Sequence, residues 1–171
     1  MAIALNTLNQ TSPTETWDLP VHDLPFAERL AIWAARVWVE AHCAGKTSCM
    51  RLDSLFQHAK LEDCIGPFYS LFILLAHGAR RKLNIQCPCC RKLSDDERLL
   101  LVLITAHQQG NPKVAEGVLQ DWLQPAAVRQ AAYPAQLVAN GFLEAGLTFR
   151  FLVNAVDVND LGALPCARTF H

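Results

Sequence analysis

The chain has 171 residues, a length that fits a single domain able to bury a useful hydrophobic core. Hydrophobic residues make up 51% of the chain and charged residues 18%, a balance typical of globular rather than disordered proteins. The formal net charge of −1 provides no overall field that would attract nucleic acid or an anionic membrane, so either kind of binding would require a local patch.

The N-terminal stretch MAIALNTLNQTSPTETWDLP lacks the positively charged start and the unbroken apolar run of a secretory signal. The longest apolar stretch, PFYSLFILLA, has about half the length that a membrane-crossing helix needs. We therefore expect a cytoplasmic protein with reduced thiols and no membrane contact. Because the chain has 7 cysteines, an odd number, they cannot all pair in internal disulfides.

The pattern of residues divides the chain into three regions. Residues 1–23 are rich in Thr, Asn, Pro and Asp without periodicity, which predicts a flexible N-terminal arm. Residues 24–147 repeat apolar residues at helical spacing, which predicts an all-α, single-domain bundle of about six helices. Residues 148–171 are predicted to form a C-terminal tail packed on this domain. Their first part has some β character, but it is too short and isolated to form a sheet.

The first three predicted helices lead toward a cysteine-rich segment. The first begins near Pro25 and ends near Gly45, and a shorter second helix fits residues 51–63. Gly66 and Pro67 then break the chain and place proline in the first turn of a third helix, residues 68–83. The last turn of this helix would contain three cations that complement the helix dipole: Arg80, Arg81 and Lys82.

The next three predicted helices follow that segment. Ser94 and Glu97 have the spacing of a capping box and begin a fourth helix, which we expect to be central and buried on most sides. A fifth helix begins at Asn111-Pro112 and runs through Leu123. The pattern of residues 125–147 predicts a sixth helix, with a kink or break at Pro134.

Residues 87–92, CPCCRK, form what we call the cysteine loop. Cys87 and Cys90 make a C-P-x-C turn, whose two thiolates can bind one tetrahedral metal ion. If the first three helices run up, down and up, Cys64 lies about 15 Å away at the opposite end of the bundle, on the rise per residue of a helix. The predicted metal ligands are Cys43, Cys49, Cys87 and Cys90, with Cys89 or His42 as substitutes. Cys64 in place of Cys43 stays an open alternative.

Zinc is the predicted metal, because four ligands from two loops make a closed structural site and zinc tolerates irregular spacing. An iron–sulfur cluster is the alternative, since it uses the same thiolates and Cys89 supplies a spare ligand. The spacing C-x5-C…C-P-C-C matches none of the common ferredoxin runs, which favours zinc.

Three cations precede the cysteine loop and two form its end, and these five residues allow two interpretations. They could offset the negative charge of a thiolate-bound metal, or they could contact the phosphates of a nucleic acid. The acidic residues 95–97 follow directly and the loop has no aromatic residue to stack on a base, which counts against nucleic acid. The predicted basic patch consists of Arg80, Arg81, Lys82, Arg91 and Lys92.

The sequence contains no G-x-S-x-G, H-E-x-x-H, P-loop or dinucleotide fingerprint, so we expect a protein that is not an enzyme. The leading hypothesis is a cytoplasmic zinc-binding regulatory or adaptor protein that acts through contacts with a protein partner. The first alternative is a redox sensor that uses an iron–sulfur cluster or oxidisable thiols. The second is a nucleic-acid-binding regulator that uses the basic segment 80–92.

Overall fold

The computed structural model describes residues 20–46 and 49–150, and helices are the main regular secondary structure in this part of the chain. Short 3₁₀ helices cover Val21–Asp23 and Glu62–Cys64. The α-helices are α1 (Phe26–Cys43), α2 (Met50–His58), α3 (Ile65–Gly78), α4 (Asp95–Gln108), α5 (Pro112–Trp122) and α6 (Pro125–Glu144). The predicted all-α bundle of six helices is therefore confirmed for the described residues. Most of the predicted arm (1–23) and tail (148–171) lies outside them.

Helix α4 lies at the centre of the bundle, as the sequence predicts. Residues 99–106 are all buried, and the helix packs against α1, α5 and α6. The capping box is present, because Glu97 N donates to Ser94 Oγ at 3.2 Å while Ser94 N donates to Glu97 Oε2 at 2.9 Å. The cap fixes the first turn of α4 directly after the cysteine loop. Across the described ranges, no helix is long and apolar enough to cross a bilayer.

Helix α3 ends at Gly78, earlier than predicted, so the prediction that Arg80, Arg81 and Lys82 occupy its last turn is wrong. Ala79 leaves the helix to form an antiparallel bridge with Leu123 in the link between α5 and α6. Arg80 N donates to Trp122 O at 2.7 Å in the same contact. Glycine is required at position 78, because a Cβ there would lie 2.9 Å from Ala127 Cβ. The chain therefore approaches the cysteine loop in a non-helical conformation.

Helix α6 runs from Pro125 to Glu144 with Pro134 inside it, so of the predicted kink or break the break does not occur. Its buried face packs against α3, α4 and α5. A proline inside a helix costs roughly 3 kcal/mol through a lost hydrogen bond and a steric clash. Burial of this apolar face offsets that cost, and the helix continues past the proline. The residues buried on this face include Val128, Ala131, Ala135, Val138, Ala139 and Phe142.

Candidate metal centre

The cysteine loop brings three thiol groups together. Cys87 Sγ lies 2.7 Å from Cys89 Sγ and 2.6 Å from Cys90 Sγ. The three sulfurs all lie within 4.8 Å of one another, and a backbone hydrogen bond of 3.0 Å from Cys90 N to Cys87 O closes the turn. Cys87 and Cys89 are exposed and Cys90 is half-buried. These three cysteines could hold a metal ion.

The other predicted ligands lie outside this group. Cys43 is exposed at the end of α1, and Cys49 N donates to the hydroxyl of Tyr69 in α3 at 2.8 Å. The ring of His42 stacks on Trp38, with 4.6 Å between ring centroids. The structure thus groups Cys87 and Cys90 with Cys89, which the sequence interpretation treated only as a substitute. The four-cysteine ligand set stays a prediction.

Cys64 is a core residue, and it too lies outside the group of converging thiols. Its side chain packs so closely against α6 that a Cβ at Gly141 would overlap its sulfur. Burial, followed by the nearby charges of Asp63 and Glu144, raises the pKa of the Cys64 thiol to about 11. Such a thiol stays protonated and unreactive at neutral pH.

A buried ion pair holds the cysteine loop against α1. Arg36 and Glu97 are 2% and 0% exposed, and the guanidinium binds the carboxylate through Nε at 2.7 Å and NH2 at 2.8 Å. The same guanidinium donates to Cys90 O at 2.5 Å and to Lys92 O at 2.8 Å. Helix α1 therefore fixes the backbone on the C-terminal side of the three thiols.

The first turn of α4 fixes the backbone on the other side of the thiols. Gln86 N donates to Glu97 Oε1 at 3.0 Å, and Asn84 N donates to Asp96 Oδ2 at 2.6 Å. Asp96 also accepts from Trp122 Nε1 at 3.0 Å and from both terminal nitrogens of Arg81. The acidic residues after the loop thus have a structural role, as their position at a helix start suggested.

Sequence reasoning missed Arg36 as a residue that positions the site. The available signal was a single arginine within the strongly apolar stretch of α1, among Ala34, Ala35, Val37 and Trp38. A charged residue at a buried position of a helix requires a partner of opposite charge. The sequence does not say which of the 16 acidic residues provides it.

Mutual hydrogen bonding makes the three thiols unequal. Hydrogen bonds from Cys89 and then Cys90 lower the pKa of Cys87 from 9.0 to about 7. The same contacts with Cys87 raise the pKa of Cys89 and of Cys90 above the ordinary value. Cys87 is therefore the most acidic of the three thiols and the first to become a thiolate as the pH rises. A metal ion that binds all three must displace the remaining protons, so its affinity rises with pH.

The predicted basic patch is divided in the structure. Arg81 pairs with Asp96 at 2.7 Å and with Asp121 at 2.6 Å, so its charge is neutralised. The Arg80 guanidinium donates to Gln120 O at 3.0 Å. The exposed cations of the patch that have no acidic partner among the described residues are Arg80, Lys82, Arg91 and Lys92. This arrangement offers fewer free charges to a phosphate backbone than the sequence suggested.

Comparison with known proteins identifies no relative for this site. No family model, curated protein or solved structure matches the chain. The chemistry of the thiols is therefore the guide to function. Three converging thiols can bind a metal ion as thiolates, or two of them can lose two electrons and two protons to form a disulfide.

We predict that Arg36→Met destabilises the protein by about 3–5 kcal/mol, because it leaves the Glu97 carboxylate buried without a partner. Urea unfolding at neutral pH measures this change. Glu40→Gln is the control, since it removes an exposed ion pair with Arg51 at 3.5 Å and should cost less than about 1 kcal/mol. Equal stability of Arg36→Met and wild type would contradict the structural role of the buried pair.

We also predict that alkylation of metal-free protein by iodoacetamide labels Cys87 with a rate midpoint near pH 7. The thiolate is the reacting form, so the rate rises through this pH. The double variant Cys89→Ala/Cys90→Ala lacks both hydrogen-bond donors to Cys87. Its rate midpoint for labelling of Cys87 should therefore move up toward 9.0. Peptide mass spectrometry locates the label, with exposed Cys43 as the internal reference. A wild-type midpoint that already lies at the ordinary thiol value would exclude the inferred hydrogen bonding.

Proposed function

We propose that the cysteine loop binds a zinc ion through Cys87, Cys89 and Cys90. We further propose that the protein is a cytoplasmic, non-enzymatic regulatory or adaptor protein whose metal loop contacts a protein partner. The observation that supports this proposal is the convergence of three sulfurs within 4.8 Å on a loop anchored on both sides. Anchoring reduces the entropy lost when a metal orders the thiols, so it favours binding.

The donor set supports zinc over magnesium, calcium and an iron–sulfur cluster. Thiolates suit zinc, copper(I) and iron–sulfur clusters, whereas magnesium and calcium require oxygen ligands. A typical iron–sulfur cluster needs four cysteine ligands, and the converging group supplies three. Zinc with three protein ligands and one open position is the arrangement of catalytic zinc sites. We propose that here the open position serves a donor side chain of a partner protein instead of a substrate.

The open position is where a partner would act on the metal. Cys87 and Cys89 are exposed, so solvent or a donor side chain of another protein can reach the loop. The folded core does not depend on these two side chains, because the anchoring contacts use the backbone of the loop and the side chains of Arg36, Asp96 and Glu97. Metal binding can therefore change the loop surface without unfolding the bundle.

A redox sensor is the second candidate function, and the distance of 2.6 Å between the Cys87 and Cys90 sulfurs favours it. A peroxide could oxidise these thiols to a disulfide. Two electrons and two protons pass to the peroxide, whose O–O bond breaks to give two water molecules from hydrogen peroxide, or one alcohol and one water from an alkyl hydroperoxide. The disulfide would remove two of the three metal ligands. Metal binding and oxidation would then exclude each other at this loop.

Elemental analysis of anaerobically purified protein is expected to find about one zinc ion per chain. Cys87→Ser, Cys89→Ser and Cys90→Ser should each weaken zinc binding by at least about tenfold, because each removes a ligand. Cys43→Ser and Cys49→Ser are matched controls that should retain wild-type affinity, since these cysteines lie outside the converging group. A chelator competition assay measures the affinities.

Loss of zinc in Cys43→Ser and Cys49→Ser would contradict the three-ligand site and support the four-cysteine set instead. Absence of any bound metal, both as purified and after addition of zinc, would contradict the metal proposal altogether. In that case, loss of two titratable thiols per chain on exposure to peroxide would favour the redox candidate.

A further inference from the structure

A cavity lies away from the sulfurs, between α1, α3, α4, the end of α5 and the segment that follows α3. Its volume is about 240 Å³, and no cysteine lines it. Its buried lining is apolar and aromatic: Trp38, Phe72, Leu75, Leu100 and Trp122. A small concave site with such a lining suits an apolar ligand.

The polar groups that line the cavity carry positive or no charge. The charged and titratable side chains among them are His42, Arg81 and Lys82, and no acidic residue lines the cavity. Arg81 is engaged by Asp96 and Asp121, and Trp122 Nε1 is engaged by Asp96. The Lys82 ammonium is exposed and forms no ion pair with the described residues. Lys82 is therefore the cation available to a ligand at this site.

We propose that this cavity binds a medium-chain aliphatic monocarboxylate. The alkyl chain would lie on the aromatic and aliphatic lining, and the carboxylate would pair with Lys82. The volume of about 240 Å³ falls below the range of about 300–1,000 Å³ for sites that hold drug-sized ligands, so the ligand must be small. Because the rim carries positive charge and no acidic residue lines the cavity, the site repels organic cations. Since Lys82 is the one available cation in the lining, the site favours a ligand with a single negative charge.

This site is independent of the proposed metal centre. Its wall includes Leu83 and Ile85, which precede the cysteine loop, but its lining contains none of the three thiols. A metal-free protein should therefore bind the carboxylate as well as the metal-loaded protein does. Failure of one proposal leaves the other intact.

The probe for this site is sodium octanoate, added to the ¹⁵N-labelled full chain and followed by NMR. The indole N–H signals of Trp38 and Trp122 should shift in a saturable manner, while that of Trp33, which does not line the cavity, should stay in place. For a ligand of this size we expect a Kd between about 0.1 and 1 mM. The absence of saturable shifts up to about 10 mM, tenfold above the weakest expected Kd, would overturn the proposal.

Two variants of α3 test the location of the site. Ala76 is an exposed residue in the cavity lining, so Ala76→Trp should fill the opening and weaken octanoate binding by at least about tenfold. Ile73→Trp is the matched control, because Ile73 is exposed on the same helix but does not line the cavity. Circular dichroism confirms that both variants fold. Unchanged binding by folded Ala76→Trp would overturn the assignment to this cavity.

Lys82→Gln tests the recognition of the carboxylate. It should weaken octanoate binding about two- to fivefold, the effect of one exposed ion pair. Binding of octan-1-ol, which has the same chain without the charge, should not change. Equal octanoate affinity of wild type and Lys82→Gln would overturn the pairing with Lys82.

Discussion

The position of the cysteine loop depends on the guanidinium of Arg36. This group lies between α1 and α4, where it binds both carboxylate oxygens of Glu97 and two backbone carbonyls of the loop. An arginine in a buried position loses its hydration, and the structure compensates for that loss with charge and with directed hydrogen bonds. The planar, forked geometry of arginine allows it to serve the helix and the loop at once, which a lysine could not do.

The contacts that hold the cysteine loop use its backbone, whereas the reactive groups of the loop are its thiol side chains. The carboxylates of Asp96 and Glu97 and the guanidinium of Arg36 bind the backbone of residues 84–92. The sulfurs of Cys87 and Cys89 take no part in these contacts and are exposed to solvent. Chemistry at the thiols can therefore proceed while the bundle keeps its packing. Such a separation would allow a metal ion to bind to and leave the folded protein, as the proposed regulatory function needs.

Local signals in the sequence predict much of this arrangement. The capping box at Ser94 and the apolar run of α4 identify the central helix, because both depend on residues close in the chain. The convergence of Cys87 and Cys90 follows from their spacing in a turn that contains proline. The all-helical class follows from apolar periodicity.

Contacts between distant residues limit what the sequence can predict. Helix α3 ends at Gly78 because Ala79 pairs with Leu123, and no local signal marks that pairing. Arg36 and Glu97 are 61 residues apart, so their pairing requires the packed bundle. The prediction that Cys43 and Cys49 complete the metal site rested on helices that run up, down and up, with the third helix extending to residue 83. The non-helical approach after Gly78 removes that assumption.

X-ray absorption at the zinc K-edge of the loaded protein tests the central claim most directly. Three thiolate ligands with one open position predict a shell of three sulfur neighbours at about 2.3 Å and one lighter atom at about 2.0–2.1 Å. A shell of four sulfurs would contradict the open position and indicate a further cysteine ligand. A shell without sulfur would contradict the assignment of zinc to the cysteine loop.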